Sequence, residues 1–155
     1  MPDGRIVDPY FVVELPTSVC AMAITENNEV ILVEQYRHPM EETILELPGG
    51  FVDEGEEPAT AIARELLEET GYSFSSITPL GKIAANPGVL NNYTYLFLAE
   101  GGKLTATQQL DSNEHIDVTF LSIADIRKML TENAIKQALH TTCLFYAFAK
   151  LDSRK

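Results

Sequence analysis

Apolar residues recur along this chain in two rhythms, and the change from one to the other marks the elements. Alternation or short β-branched and aromatic runs predict strands over residues 10–16, 18–25, 30–36, 43–50, 76–85, 93–100 and 116–121. Turn-forming residues separate several of them, as in the stretches TENNE and NPGVLNN. A helical spacing takes over at residues 58–70, bounded by Pro58 in the first turn and Gly71 at the end. Two further helices are predicted over residues 122–130 and 133–150, the second packing through Ile135, Leu139, Leu144 and Ala147. Strands dominate the first half and helices follow strands, which predicts a mixed sheet covered on both faces, an α/β/α sandwich. No repeat or long linker divides the chain, so residues 1–155 read as one domain, with 1–18 as a short N-terminal strand extension.

The helix at 58–70 carries an electrostatic anomaly. Ala59, Ile62, Ala63 and Leu66 form its expected core stripe. Glu65, Glu68 and Glu69 stand at i, i+3 and i+4, so their like charges cluster on a neighbouring face at a cost of some tenths of a kcal/mol per pair. Arg64 is the only basic residue inside the helix. A solvated acidic face is the plain explanation. The tight Pro48-Gly49-Gly50 turn and the acidic VDEGEE loop just upstream favour another, because more oxygens can converge there. Clustered carboxylates suit a hard divalent cation, Mg²⁺ or alternatively Mn²⁺. The loop lacks the ligand spacing of a calcium-binding hand, and three glutamates without a histidine do not suit zinc.

Charge narrows the function classes. A net charge of −12 opposes binding to DNA, RNA or an anionic membrane. An anionic small molecule remains open if a cation mediates. No apolar run is long enough to span a bilayer, and the first ten residues lack the layout of a signal peptide. Cys20 and Cys143 lie in apolar surroundings and read as buried, reduced thiols. A cytoplasmic location is the resulting expectation.

The residues from Gly50 onward resemble a known signature. Gly50, Glu56 and the run Arg64-Glu65-Leu66-x-Glu68-Glu69-x-Gly71-Tyr72 fit the Nudix box of the Nudix hydrolases, with Tyr72 where an aliphatic residue is more usual. VEQYRHP, LELPGG and a proline sixteen residues after Gly71, here Pro87, resemble the ADP-ribose and nucleotide-sugar pyrophosphatase branch. The resemblance implies a Nudix-type α/β/α sandwich. It also implies metal-dependent hydrolysis of a nucleoside diphosphate linked to another moiety, in a homodimer. It assigns metal binding to Glu65, Glu68, Glu69 and the Gly49 carbonyl, an orienting salt bridge with a box glutamate to Arg64, and support of the loop to Glu56. Phosphate contact falls to Arg37, with Pro87 also at the substrate. The general base is sought among Glu114, Glu69 and Asp111.

Plainer roles compete for several of these. Arg37 is as well explained by an ion pair with a nearby acid. His38, His115 and His140 read as surface or packing residues, and Asn91 and Asn92 as solvated loop residues. Tyr93, Tyr95 and Phe97 alternate as one core-facing side of a strand. Two other functions are weighed: a nucleoside triphosphate pyrophosphatase, and a sensing module without chemistry. The intact set of box glutamates disfavours the second.

Overall fold

The sheet is organised around one long strand. In the computed structural model, which describes residues 1–112 and 115–154, β2 (Glu29–Arg37) pairs antiparallel along one edge with β7 (Ile116–Ser122). Its other edge is shared: the first half pairs with β1 (Ser18–Thr25) and the second with β3 (Glu42–Glu46). β1 pairs parallel with β6 (Thr94–Leu104), which also holds β4 (Tyr72–Ser73) and β5 (Ser76–Ile83) antiparallel. The sheet is therefore mixed, as the hydrophobic pattern predicts.

Alternation along β1 separates two cores. Cys20, Met22 and Ile24 face α2 (Ile123–Thr131) and α3 (Ala138–Asp152), where Ile126, Leu144, Ala147 and Phe148 cover them. Val19, Ala21 and Ala23 face α1 (Pro58–Thr70), meeting Ile62 and Leu66. Each of these two helix side chains is fully buried and contributes about 2 kcal/mol. Helices on both faces complete the α/β/α sandwich. Cys20 and Cys143 are free and buried, as expected of small apolar residues.

α1 begins and ends where the sequence places it, with Gly71 left-handed at φ 76°. Its buried stripe differs. Ala59 and Ala63 are exposed, while Ala61, Ile62, Leu66, Glu69 and Thr70 are buried. The helix is rolled so that Glu69 turns inward, where its carboxylate finds a main-chain partner described below.

Three further expectations are corrected. Residues 10–16 form no strand; Val13 alone makes an isolated parallel bridge to Leu90, and Tyr10, Phe11 and Val12 stay exposed. With Pro16 ending the run and no neighbouring face to cover it, the segment lacks both a ladder and a core. The final helix starts at Ala138 rather than residue 133, because Asn133 takes a positive φ of 55° that ends any helix there. Gln137 supplies the cap instead, accepting a hydrogen bond from the Leu139 amide. Tyr93 is half exposed, since β6 begins one residue later. The Lys82 ammonium sits 4.8 Å from the Tyr93 ring centre.

Beside β1 runs the Pro48–Gly50 turn. Val19 N–H donates to the Gly50 carbonyl at 2.8 Å and Ala21 N–H to the Pro48 carbonyl at 3.1 Å. Gly49, at φ 153°, passes so close that an added Cβ would stand 2.1 Å from the Val19 carbonyl oxygen. Replacing Gly49 by Ala is therefore predicted to cost about 3 kcal/mol in urea unfolding. Gly88→Ala serves as the control, because its nearest neighbour would lie 3.6 Å away; it should stay within about 0.5 kcal/mol of the parent.

Candidate active site

The Pro48–Gly50 turn does more than join β3 to the loop before α1. Gly50 has no side chain where the Glu65 carboxyl group rests: a Cβ there would stand 2.5 Å from it. The Gly49 amide donates to Glu69 Oε2 at 2.8 Å, which accounts for the inward roll of α1. Two glycines thus seat two glutamates of the acidic cluster.

Arg64 gathers the others. Its guanidinium donates to Glu65 Oε1 at 2.9 Å, to Glu68 Oε2 at 3.0 Å, to both Glu56 oxygens and to the Phe51 carbonyl. Those bonds, the Glu56 pair foremost, push the Arg64 pKa further up, and they hold Glu56 below the usual carboxylate range. One cation therefore offsets much of the repulsion noted in the sequence. With these protein partners in place, no three acidic, histidine or cysteine side chains among the described residues converge on one point.

The far end of α1 is held by the chain that follows β6. The Thr105 and Ala106 amides donate to the Gly71 carbonyl, and the Gln109 amide donates to the Glu68 carbonyl at 2.8 Å. The Gln108 side chain donates to the carbonyls of Glu69 and Ile116. These donors satisfy carbonyls that the helix end leaves open. They also bring Gln109 and Asp111 to the same cavity as the glutamates.

That cavity has a volume of about 620 Å³, within the range of a nucleotide-sized ligand site. Gly49, Glu65, Glu68 and Glu69 line it together with Arg64 and Arg37. The structure so brings together most of the residues singled out in the sequence. Pro87 is not among the lining residues and is exposed in its turn; its neighbours Ala85, Leu90 and Asn92 line the cavity instead. Glu114 lies outside the described residues. The acidic side chains that Glu65, Glu68 and Glu69 bring to the cavity offer oxygen and no sulfur, a chemistry that suits a hard divalent cation and not a thiolate-seeking one.

Two residues were missed, one that braces the cavity-lining Arg37 and one that lines the cavity itself. Glu46 is buried at the end of β3, and its Oε2 accepts from Arg37 Nε at 2.9 Å, with Nη2 of the same ion pair 2.6 Å away. Its Oε1 has no hydrogen bond among the described residues. A glutamate at an inward position of the strand pattern LELPGG was the available signal. Arg37 makes the ion pair that the plainer reading gave it and still reaches the cavity half exposed. His140, in the first turn of α3, is also buried and lines the cavity. Its Nδ1 accepts from the Leu47 amide at 3.2 Å. Burial first, then the Arg37 charge, pushes the His140 pKa down to about 3.

A family model described as the NUDIX domain matches residues 14–141. The ADP-ribose pyrophosphatase of Bacillus subtilis (strain 168) is 34% identical over 139 residues, covering 89% of this chain and 75% of that protein. The methanol dehydrogenase activator of Bacillus methanolicus is 35% identical over 136 residues, 87% of this chain and 73% of that one. A crystal structure of an ADP compounds hydrolase superposes with a TM-score of 0.80 at 22% identity, covering 89% of this chain and 74% of its own. That last likeness bears on the fold.

The buried imidazole makes stability pH-dependent with a definite sign. Unfolding returns His140 toward its ordinary pKa of 6.5 from about 3, so the unfolded chain binds the extra proton between those values. Stability is then complete above about 6.5 and falls with acidification toward about 3, by at most about 1.4 kcal/mol per pH unit. His140→Asn should show a shallower fall over that window in urea titrations run beside the parent.

Proposed function

This chain belongs to the NUDIX-domain family of hydrolases, and from that premise we propose that it cleaves the diphosphate bond of ADP-ribose or a nucleotide sugar. The products would be a nucleoside monophosphate and a sugar phosphate, such as AMP and ribose 5-phosphate. The observation that carries this reading is the convergence of Glu65, Glu68, Glu69, Gly49 and Arg37 on one cavity of about 620 Å³. The ADP-ribose pyrophosphatase relative, similar over most of the chain, supports the substrate class.

Glu65, Glu68, Glu69 and the Gly49 carbonyl would hold Mg²⁺, with Mn²⁺ as the alternative. Such a cation supplies neutralisation of the diphosphate charge and a water of lowered pKa. The chain's own residues do the rest. Arg64 keeps Glu65 and Glu68 aimed toward the cavity while Glu56 and the Phe51 carbonyl hold Arg64 in turn. Arg37, braced by Glu46, offers its guanidinium to a phosphoryl oxygen. Pro87 shapes the turn whose neighbours Leu90 and Asn92 line the cavity. The proton of the attacking water passes to an acidic side chain, for which Glu114, Glu69 and Asp111 are the candidates.

We further infer a cytoplasmic homodimer. The exposed apolar side chains of Ile6, Tyr10, Phe11 and Val12 support a partner surface. Light scattering that returned the mass of a single chain would exclude the dimer.

Product analysis with Mg²⁺ tests the reaction. Monophosphate and sugar phosphate from ADP-ribose or a nucleotide sugar are the expected products. Release of pyrophosphate from nucleoside triphosphates, with the sugar-linked compounds untouched, would refute the proposal. Glu69→Gln should lower kcat by about 100-fold or more while thermal stability holds, because the amide oxygen can still accept from Gly49. Unaltered kcat in that variant would remove Glu69 from the metal set.

A further inference from the structure

One wall of the cavity is built by Arg37 on β2 with Gln137, Leu139 and His140 at the start of α3. The roles given above to the glycine turn, the glutamates and Arg37 leave His140 without one. We propose that His140 is a substrate-binding residue whose Nε2–H donates a hydrogen bond to a phosphoryl oxygen of the diphosphate-linked substrate. This rests on the function proposed above and adds a contact to it.

Geometry determines which nitrogen donates. The Leu47 amide donates to Nδ1 at 3.2 Å, so in the neutral ring Nδ1 is the acceptor and the proton sits on Nε2. The Leu47 amide is the ring's one hydrogen-bond partner among the described residues. The residue is only 6% exposed, and the surface it does show belongs to the cavity. Nε2–H thus has no acceptor among the described residues, and the surface the ring shows opens to the cavity, where a ligand can supply one.

The surroundings select the ligand. Arg37, though paired with Glu46, still presents its half-exposed guanidinium at the same wall. Gln137 and Leu139 place the amino-terminal end of α3 there, where the helix dipole is positive. An anionic oxygen is the acceptor such a wall stabilises. The bond also needs no proton from solvent: burial and Arg37 keep the ring neutral with a pKa of about 3. Around it the charged groups are Arg37 and, behind Arg37, Glu46. The donor therefore persists unchanged across the neutral range.

Two variants separate binding from folding. Asn places its oxygen near the position of Nδ1, so His140→Asn keeps the acceptor for Leu47 and removes the donor. Gln places its amide nitrogen near the position of Nε2, so His140→Gln keeps a donor and gives up the Leu47 acceptor. With the Mg²⁺-loaded full chain and ADP-ribose, His140→Asn is expected to raise KM about tenfold, the worth of one hydrogen bond to a charged oxygen. Its kcat should stay within about twofold and its Tm near the parent's. His140→Gln is expected to show the reverse: a lowered Tm and a KM close to the parent's. Parental KM in His140→Asn would overturn the inference and leave the proposed reaction standing. A KM loss that instead follows the Tm loss in His140→Gln would overturn it too, assigning the ring a purely structural role. Failure of the unaltered enzyme to hydrolyse any sugar-linked diphosphate would overturn the reaction first, and this contact with it.

Discussion

Where Gly49 crosses β1, main chain meets main chain with no room for a side chain, a Cβ there standing 2.1 Å from the Val19 carbonyl oxygen. Much of the molecule is arranged by that approach. It is possible because β2 shares one edge between β1 and β3, so the chain leaving β3 can run on beside β1. Once the turn is seated, its amide and its bare α-carbon receive the carboxylates of Glu69 and Glu65. α1 is thereby rolled toward the sheet. The apolar contacts of Ile62 and Leu66 and the polar contacts of the two glutamates are consequences of one placement.

Charge is managed in the same economical way. The chain carries −12 overall and concentrates acids on one helix, yet a single guanidinium engages Glu56, Glu65 and Glu68 together. A lysine could not reproduce this, since its compact ammonium lacks the flat fork that bonds several oxygens at once. On the other side of the cavity a second arginine pairs with a buried acid and adds its charge to the burial that keeps a neighbouring histidine neutral. The two arginines thus divide the work: one orders the acidic wall, the other braces against a buried acid beside a neutral imidazole.

The sheet and helices were legible because they obey local rules. Alternation in β1 and the Pro58 and Gly71 boundaries of α1 each act within a few residues. Where local rules failed, a long-range partner was missing or present. Residues 10–16 have the composition of a strand, yet only Val13 finds a bridge. Ala59 and Ala63 fit a helical stripe, but the roll of α1 toward Gly49 left them outside. Glu46 and His140 were passed over for the opposite reason. The inward place of Glu46 in LELPGG was the one local signal; the rest is decided where the end of β3 comes against the start of α3, the Leu47 amide donating to His140.

Sequence alone determined the α/β/α class, the identity of the glutamates and the need to relieve their repulsion. Those depend on residue type and on spacing along one helix, and the distance between successive turns is the same in any helix. Tertiary structure decided which carboxylate meets which amide, that Arg37 is braced by a buried acid, and that His140 accepts from the Leu47 amide and so keeps its proton on the other nitrogen. Such outcomes depend on ångström-scale distances between elements far apart in the chain, and burial alters the charge state only after those elements have packed.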